Sequence, residues 1–204
     1  EIEKTAIELF NVEGKYKNND IVYNTRFKNI ETIPANLSLS KAELYTSQII
    51  NAHTRLNDYL HQILFMYNYV IIDCPPSLGL FTLNALIASD YVMIPVVPEK
   101  YAVMAIAQMM ETIKIARSFN DNLQLGGIIP SMVDMRYRVH KATMKTLSAS
   151  FGNLLLGSCS IGTNAPLKDA ANIRKTIFEY EHRAASYKDF QDLASYTYRL
   201  LKEQ

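Results

Sequence analysis

Glycine is scarce in this sequence, with seven among 204 residues, and Gly14 is the only one before Gly79. A loop that cradles phosphate with converging backbone N–H groups needs glycines at close spacing. Gly14-Lys15 is followed by Tyr16 and has no glycine five residues upstream, so it reads as a surface turn rather than a cradle. Cysteine is scarcer still. Cys74 and Cys159 lie far apart with no CxxC spacing, which suggests neither a disulfide framework nor a zinc site and reads as two buried thiols in a reducing compartment. The four histidines lack ligand spacing: His53 and His61 stand eight apart on one predicted helix, and His140 and His182 have no companions. No apolar run approaches the roughly 18 residues that span a bilayer, and the start EIEKTAIELF is charged and periodic, unlike a secretory signal. The expectation is a cytoplasmic protein without a membrane partner. A formal net charge of +1 gives no global pull towards nucleic acid, so any DNA contact must come from local clustering.

What is present suits one domain with a real core, at 49% hydrophobic and 20% charged residues. Short apolar runs alternate with amphipathic stretches, the pattern of an α/β fold whose mostly parallel sheet carries helices on both faces. Residues 3–11 read as a helix, followed by a polar turn over 14–20. Residues 30–35 (IETIPA) read as a strand. Ser40-Lys41-Ala42-Glu43 has the form of a capping box opening a long helix to about Met66, with Leu56, Leu60, Ile63 and Leu64 on one face. Residues 69–73 (YVIID), 91–97 and 125–132 read as strands, the first apolar on both faces until its last residue, as in a strand covered from both sides. Helices are expected near 80–89, 103–119, 138–151 and 187–202, with a short strand at 154–158. The methionines of the 103–119 helix suit core packing better than an adaptable groove.

The most specific string is VIIDCPPSLG, Val70 to Gly79. An acidic residue at the carboxyl end of a buried parallel strand faces the crevice where α/β sheets place ligands, so Asp73 is aimed at a site. There an aspartate holds the hydration shell of Mg²⁺, usually through water, because the hard cation takes oxygen ligands and dehydrates reluctantly. Pro75-Pro76 fixes two φ angles and removes two backbone donors, and Gly79 permits a turn into the next helix. A rigid loop with a flexible end beside a metal-binding carboxylate is what a γ-phosphate sensor requires. The plainer alternative is a solvated Asp followed by an ordinary proline turn.

The string IIDCPPSLG, running into LNALIASDYVMIPV, resembles the Walker B and switch II segment of the ParA/Soj partition ATPases of the MinD/ParA superfamily, a deviant P-loop NTPase fold. IPANLSLSKAEL upstream is similar to the segment before that motif. PEKYAVMAIAQMMETI, GGIIPSMVDMR, TNAPLKDA and KTIFEY follow in family order, so nearly the whole chain is covered. The resemblance implies that Asp73 is the Walker B aspartate and that Cys74, Pro75, Pro76, Ser77, Leu78 and Gly79 form switch II. It implies ATP or ADP with Mg²⁺ as cofactors. Met132, Asp134, Thr163, Asn164 and Pro166 would line the base and ribose, although Met132 suits a core role as well and Asp134 a turn cap. It also implies an ATP-switched homodimer, non-specific DNA binding on the nucleoid and a ParB-like partner that stimulates hydrolysis.

The family's KGGxGKT loop, its DxDPQ strand and the water-activating aspartate after it have no counterpart in these residues; at least one βαβ unit, roughly 30 residues or more, is expected to be lacking. Without the amide cradle and its lysine this chain alone should not hydrolyse ATP, since electrostatic stabilisation supplies nearly all the catalysis in phosphoryl transfer. A non-hydrolysing interaction module of the same fold is therefore the alternative. A MinD-like membrane-cycling role is disfavoured because DLASYTYRLLKEQ is no basic amphipathic tail. Family members usually carry arginines where Thr163 and Pro166 stand, a glycine in place of Arg174, and an Arg-Gly-Ala element near 185–187. Basic residues nevertheless cluster at Arg136, Arg138, Lys141 and Lys145, with Arg174 and Lys175 as a second group. Spacing of three to four puts Arg138, Lys141 and Lys145 on one helical face, where they could meet phosphates or simply face solvent.

Overall fold

A computed structural model describes residues 2–11, 20–46 and 49–202; of Ser40, Lys41, Leu44 and Tyr45 only the backbone is described. The expected turn at Gly14 and the Ser40 side chain of the expected capping box thus lie outside the described residues. The chain divides into two compact units, residues 1–90 with 112–123, and residues 91–111 with 124–204.

In the first unit the expected N-terminal helix is a short 3-10 turn, Ala6–Phe10, which sends Leu9 and Phe10 into the core. A small antiparallel hairpin follows, β1 (Tyr23–Asn24) against β2 (Glu31–Thr32), with Tyr23 opposite Thr32. Thr25 closes its turn by donating to the Ile30 carbonyl at 2.7 Å, with Asn29 in the left-handed region at φ 66°. The strand expected over 30–35 stops after Thr32: Pro34 has no N–H to continue a ladder, and its carbonyl accepts from Ala6 N at 2.8 Å instead.

Helix α1 spans Leu37–Thr46 and α2 spans Arg55–Ile63, so the single long helix expected over 40–66 is two, with Asn51 at φ 60° in the connection. The start is also earlier than expected. Asn36 Oδ1 accepts from Ser38 N at 2.9 Å, which makes Asn36 the cap and puts Ser40 inside the helix. Helix α3, Leu80–Ile87, is the most buried of the unit. Its Phe81 meets Phe10 edge-on at 4.8 Å, and both join Leu9, Ile21, Tyr59, Leu60 and Ile63 in one core. Of the face expected on α2, Leu60 and Ile63 are buried, Leu56 packs at the edge, and Leu64 is exposed.

Residues 69–73 correct a strand expectation. They form no strand, and Ile71 is 95% exposed. A β-strand exists only where a neighbour takes its N–H and C=O groups, and among the described residues none hydrogen-bonds to this segment. Apolar character on both faces is necessary for a covered strand but does not supply the neighbour.

In the second unit β3 (Tyr91–Val96) pairs in parallel with β4 (Gln124–Pro130), close to where both strands were expected. The register slips by one residue at Gly126, and Gly127 follows at φ 144°; a Cβ there would stand 2.6 Å from the Leu156 side chain. Glycine thus serves both the backbone and the packing. Bridges of Ile128 to Leu155 and of Val133 to Gly162 carry the parallel pairing further. The strand expected over 154–158 is only that first bridge, flanked by 3-10 turns Gly152–Leu154 and Gly157–Cys159. Helices α4 (Ala102–Ala116), α5 (Arg138–Phe151), α6 (Ala165–Asn172), α7 (Ile177–Tyr180) and α8 (Ala185–Lys202) complete the chain. Helix α8 covers the core of Ile129, Leu156, Cys159 and Ile161 with Phe190, Leu193 and Tyr196, and the Tyr196 hydroxyl donates to the Gly126 carbonyl at 2.8 Å. Cys159 is buried as expected; Cys74 is exposed, against expectation.

Candidate nucleotide switch and basic face

Asp73 is exposed and its carboxylate has no hydrogen bond or ion pair among the described residues. An exposed carboxylate without a protein partner leaves its oxygens free to accept from water. Cys74, Pro75, Pro76, Ser77 and Leu78 are exposed with it. Local desolvation at the sulfur, and then the Asp73 carboxylate, push the Cys74 thiol above its ordinary value, so it is a reporter and not an activated nucleophile.

The loop is open at its start and anchored at its end. Thr82 Oγ1 donates to the Ser77 carbonyl at 2.5 Å. Leu80 N, at the start of α3, donates to Glu43 Oε1 of α1 at 2.7 Å. Gly79 sits at φ −87°, ψ −161°, a conformation open to any residue, so it is not required as a flexible turn. Its bare Cα lies against the Glu43 carboxylate: a Cβ on Gly79 would stand 1.8 Å from Glu43 Oε1, so the end of that side chain would have to shift. Glu43 was expected to answer its own helix and instead answers another.

The second group of expected residues gathers at the end of β4. Met132 is 64% exposed at φ 52°, and its carbonyl accepts from Thr163 Oγ1 at 2.9 Å. Thr163 N donates to Val133 O, and Val133 N to Ile161 O, so the loops after 130 and after 161 run together. Asn164 precedes α6 as its cap residue, yet its Oδ1 is buried with no hydrogen-bond partner among the described residues, and Pro166 lies in the first turn. The core role considered for Met132 is corrected by its exposure.

Asp134 is 9% exposed and accepts four hydrogen bonds from Arg136: Oδ1 from the backbone N–H and Nε, Oδ2 from Nε and Nη2, the shortest at 2.6 Å. The turn role considered for Asp134 is what these bonds describe. Asp134 N donates to His140 Nδ1 at 3.0 Å. The Arg136 side chain, then its backbone N–H, hold the Asp134 carboxyl down at about 2. A depressed carboxyl stabilises above its unfolded value and loses that contribution as pH falls through the folded one, here between about 4 and about 2. In Arg136→Ala the Asp134 titration followed by carboxyl NMR is expected to move up towards the ordinary range.

Arg138, Lys141 and Lys145 are all exposed on α5, and Arg138 lines an open cleft of about 510 Å³ with Glu99, Lys100, Tyr137, Val139 and His140. Arg136 is 87% exposed although its guanidinium is paired. Arg174 and Lys175 end α6 in a Schellman turn: Lys175 N donates to Ala170 O and Arg174 N to Ala171 O. Arg174 occupies the left-handed position of that turn at φ 56°, where glycine carries no Cβ penalty. Arg174→Gly is expected to stabilise the fold by about 0.5–1 kcal/mol in a denaturant midpoint, the relief of a left-handed Cβ less the greater entropy of an unfolded glycine.

Comparison with known proteins agrees with this architecture. A family model described as an AAA domain matches residues 1–125. The sporulation initiation inhibitor protein Soj of Bacillus subtilis (strain 168) is 34% identical over 176 residues, covering 86% of this chain and 69% of Soj. The chain belongs to the ParA/Soj family of partition ATPases. Among solved structures, apo McdA of Cyanothece superposes at a TM-score of 0.81 with 20% identity over 97% of this chain and 80% of McdA, which shows the shared P-loop NTPase fold. Cobyrinic acid a,c-diamide synthase from Mycobacterium smegmatis, solved with an ATP analogue and magnesium, superposes at 0.66 with 27% identity over 75% of this chain and 62% of the synthase. The chain spans about two thirds of the length of the curated ParA and Soj proteins it matches. Among the described residues of this ParA/Soj member, no helix is long and apolar enough to cross a membrane, and no group of three His, Cys, Asp or Glu side chains converges to hold a metal by direct ligation.

Proposed function

We propose that this chain carries the nucleotide-switched part of a DNA-partition or cargo-positioning ATPase. The observation that carries the proposal is Asp73, an unpartnered carboxylate opening a proline-stiffened loop whose far end is bonded to two helices. Asp73 would hold a hydrated metal ion through its carboxylate, Pro75 and Pro76 stiffen the loop, and the Ser77-to-Leu80 anchor would pass a displacement of the loop to α3. Magnesium, when bound, supplies the charge neutralisation at the β and γ phosphates. Met132, Asp134, Thr163, Asn164 and Pro166 serve base and ribose recognition, for which the unpartnered Asn164 Oδ1 offers an acceptor.

ATP then favours a homodimer that binds DNA without sequence preference and answers to a ParB-like partner. Arg138, Lys141 and Lys145, with Arg174 and Lys175, bind the phosphates, and Arg136 serves through its exposed edge. Removing Arg138, Lys141 and Lys145 together is expected to weaken binding equally across sequences and to lower the salt slope by about 1 for each phosphate no longer neutralised. The deciding experiment uses the polypeptide expressed from its natural start codon: ATP-dependent dimerisation by light scattering and DNA-stimulated hydrolysis. Failure of both ends the proposal.

A non-hydrolysing interaction module is the second reading, favoured by the exposed apolar run at Tyr69, Val70 and Ile71. Tight Mg-ATP binding by the 204-residue chain alone would overturn it.

A further inference from the structure

Glu43 lies in α1, 37 residues before the Leu80 amide it binds, and no local rule connects the two. Its Oε1 accepts from Leu80 N at 2.7 Å, and the same oxygen occupies the space a Cβ on Gly79 would fill. Leu80 N is one of the first amides of α3, which have no partner within their own helix. Charge-assisted bonds to such donors are short and strong. Around the same helix, Thr82 Oγ1 holds the Ser77 carbonyl, while Asn84 binds Leu80 O, Ala52 O and Leu56 N. The end of the Asp73–Gly79 loop is therefore joined to α1 by one carboxylate, whereas its beginning has no bond of this kind among the described residues.

We infer that Glu43 is a positioning residue for the switch loop: its carboxylate, admitted by the missing side chain of Gly79, sets where the loop ends and makes the position of α1 a second input to it. The inference rests on the proposed reading of 73–79 as a nucleotide-responsive loop, and it concerns a residue outside that loop. Two requirements follow from the geometry. The carboxylate must reach Leu80, so Gln, which keeps an acceptor at the same distance, substitutes for Glu, and Ala does not. Gly79 must stay bare, so Gly79→Ala displaces the carboxylate without altering Glu43.

Cys74 provides the readout, because it lies in the loop and is exposed while Cys159 is buried. In the polypeptide expressed from its natural start, the rate of Cys74 alkylation by a maleimide and the hydrogen exchange of the Leu80 amide are measured in wild type, Glu43→Ala, Glu43→Gln and Gly79→Ala, with folding checked by circular dichroism. Glu43→Ala and Gly79→Ala are each expected to speed Leu80 exchange at least tenfold and to change the Cys74 rate several-fold, with the double variant no worse than either. Glu43→Gln is expected to restore both within about twofold. Leu80 exchange and Cys74 labelling left unchanged in folded Glu43→Ala would overturn the inference. So would equal damage by Glu43→Gln, which would mark a general loss of α1 instead of the loss of an acceptor. Should Glu43→Ala fail to fold, Gly79→Ala carries the test, and unchanged values there overturn it. A parallel arm adds Mg²⁺ with a non-hydrolysable ATP analogue. Wild-type labelling unmoved by that analogue would count against the nucleotide-switch reading, while the apo comparison still decides the role of Glu43.

Discussion

Asp73→Asn is expected to leave the protein folded and to lower Mg²⁺-dependent ATP hydrolysis, in the polypeptide expressed from its natural start, by at least about a hundredfold. The two halves of this outcome have separate causes. Asp73 is exposed with no bonded partner among the described residues, so stability should change by no more than about 0.5 kcal/mol. Asparagine keeps the shape and one acceptor but removes the charge that organises metal-bound water, and in phosphoryl transfer that electrostatic contribution is most of what the protein supplies. Melting temperature and steady-state hydrolysis with varied Mg²⁺ check the two halves on one preparation. A large loss of stability together with intact hydrolysis would reverse the role assigned to Asp73.

Asn84→Ala is expected to do the opposite, destabilising the first unit by about 2–4 kcal/mol. Asn84 is fully buried in α3. Its Oδ1 accepts from Leu56 N at 3.1 Å, in the first turn of α2, and its Nδ2 donates to Ala52 O at 2.9 Å and Leu80 O at 3.0 Å. Alanine leaves the Leu56 donor and the Ala52 acceptor without their partner, and each unsatisfied buried group costs about 1–3 kcal/mol. A cavity adds to that cost. The urea midpoint and the exchange of the Leu56 amide measure it. Asn84→Asp should be nearly as damaging, since it keeps the acceptor and loses both donated bonds.

Helices with a strong apolar period were legible. Residues 138–151 were expected as a helix and are one, and α4 and α8 lie within a few residues of their expected bounds. The parallel pair, 91–96 and 124–130, was legible as well, whereas the two-residue strand at 23–24 was not. Residues 69–73 carried the most strand-like pattern and form no strand, because pairing is a property of two segments and pattern a property of one. Glu43 was misassigned for a related reason. The Ser-x-x-Glu spacing satisfied a local rule, but Asn36 had already capped α1, and the carboxylate was free to reach Leu80. Asn84 gave no sequence signal beyond a polar residue in an apolar helix, which is itself the usual mark of a buried hydrogen-bonding hub.

The sequence by itself determined the α/β class, the ParA/Soj family, and the string Asp73 to Gly79, because alternation of elements and short motifs are written in neighbouring residues. The tertiary structure alone decided that Gly79 has an ordinary torsion and lies against the Glu43 carboxylate, that Met132 is exposed at a positive φ, and that Arg174 stands in the left-handed region. It also decided which carboxylates are engaged, Glu43 and Asp134, and which one stands open at Asp73. The physical reason is distance along the chain. Torsional preference and amphipathic period act within a few residues, whereas a hydrogen bond from position 80 to position 43 exists only once packing has brought two helices to 2.7 Å.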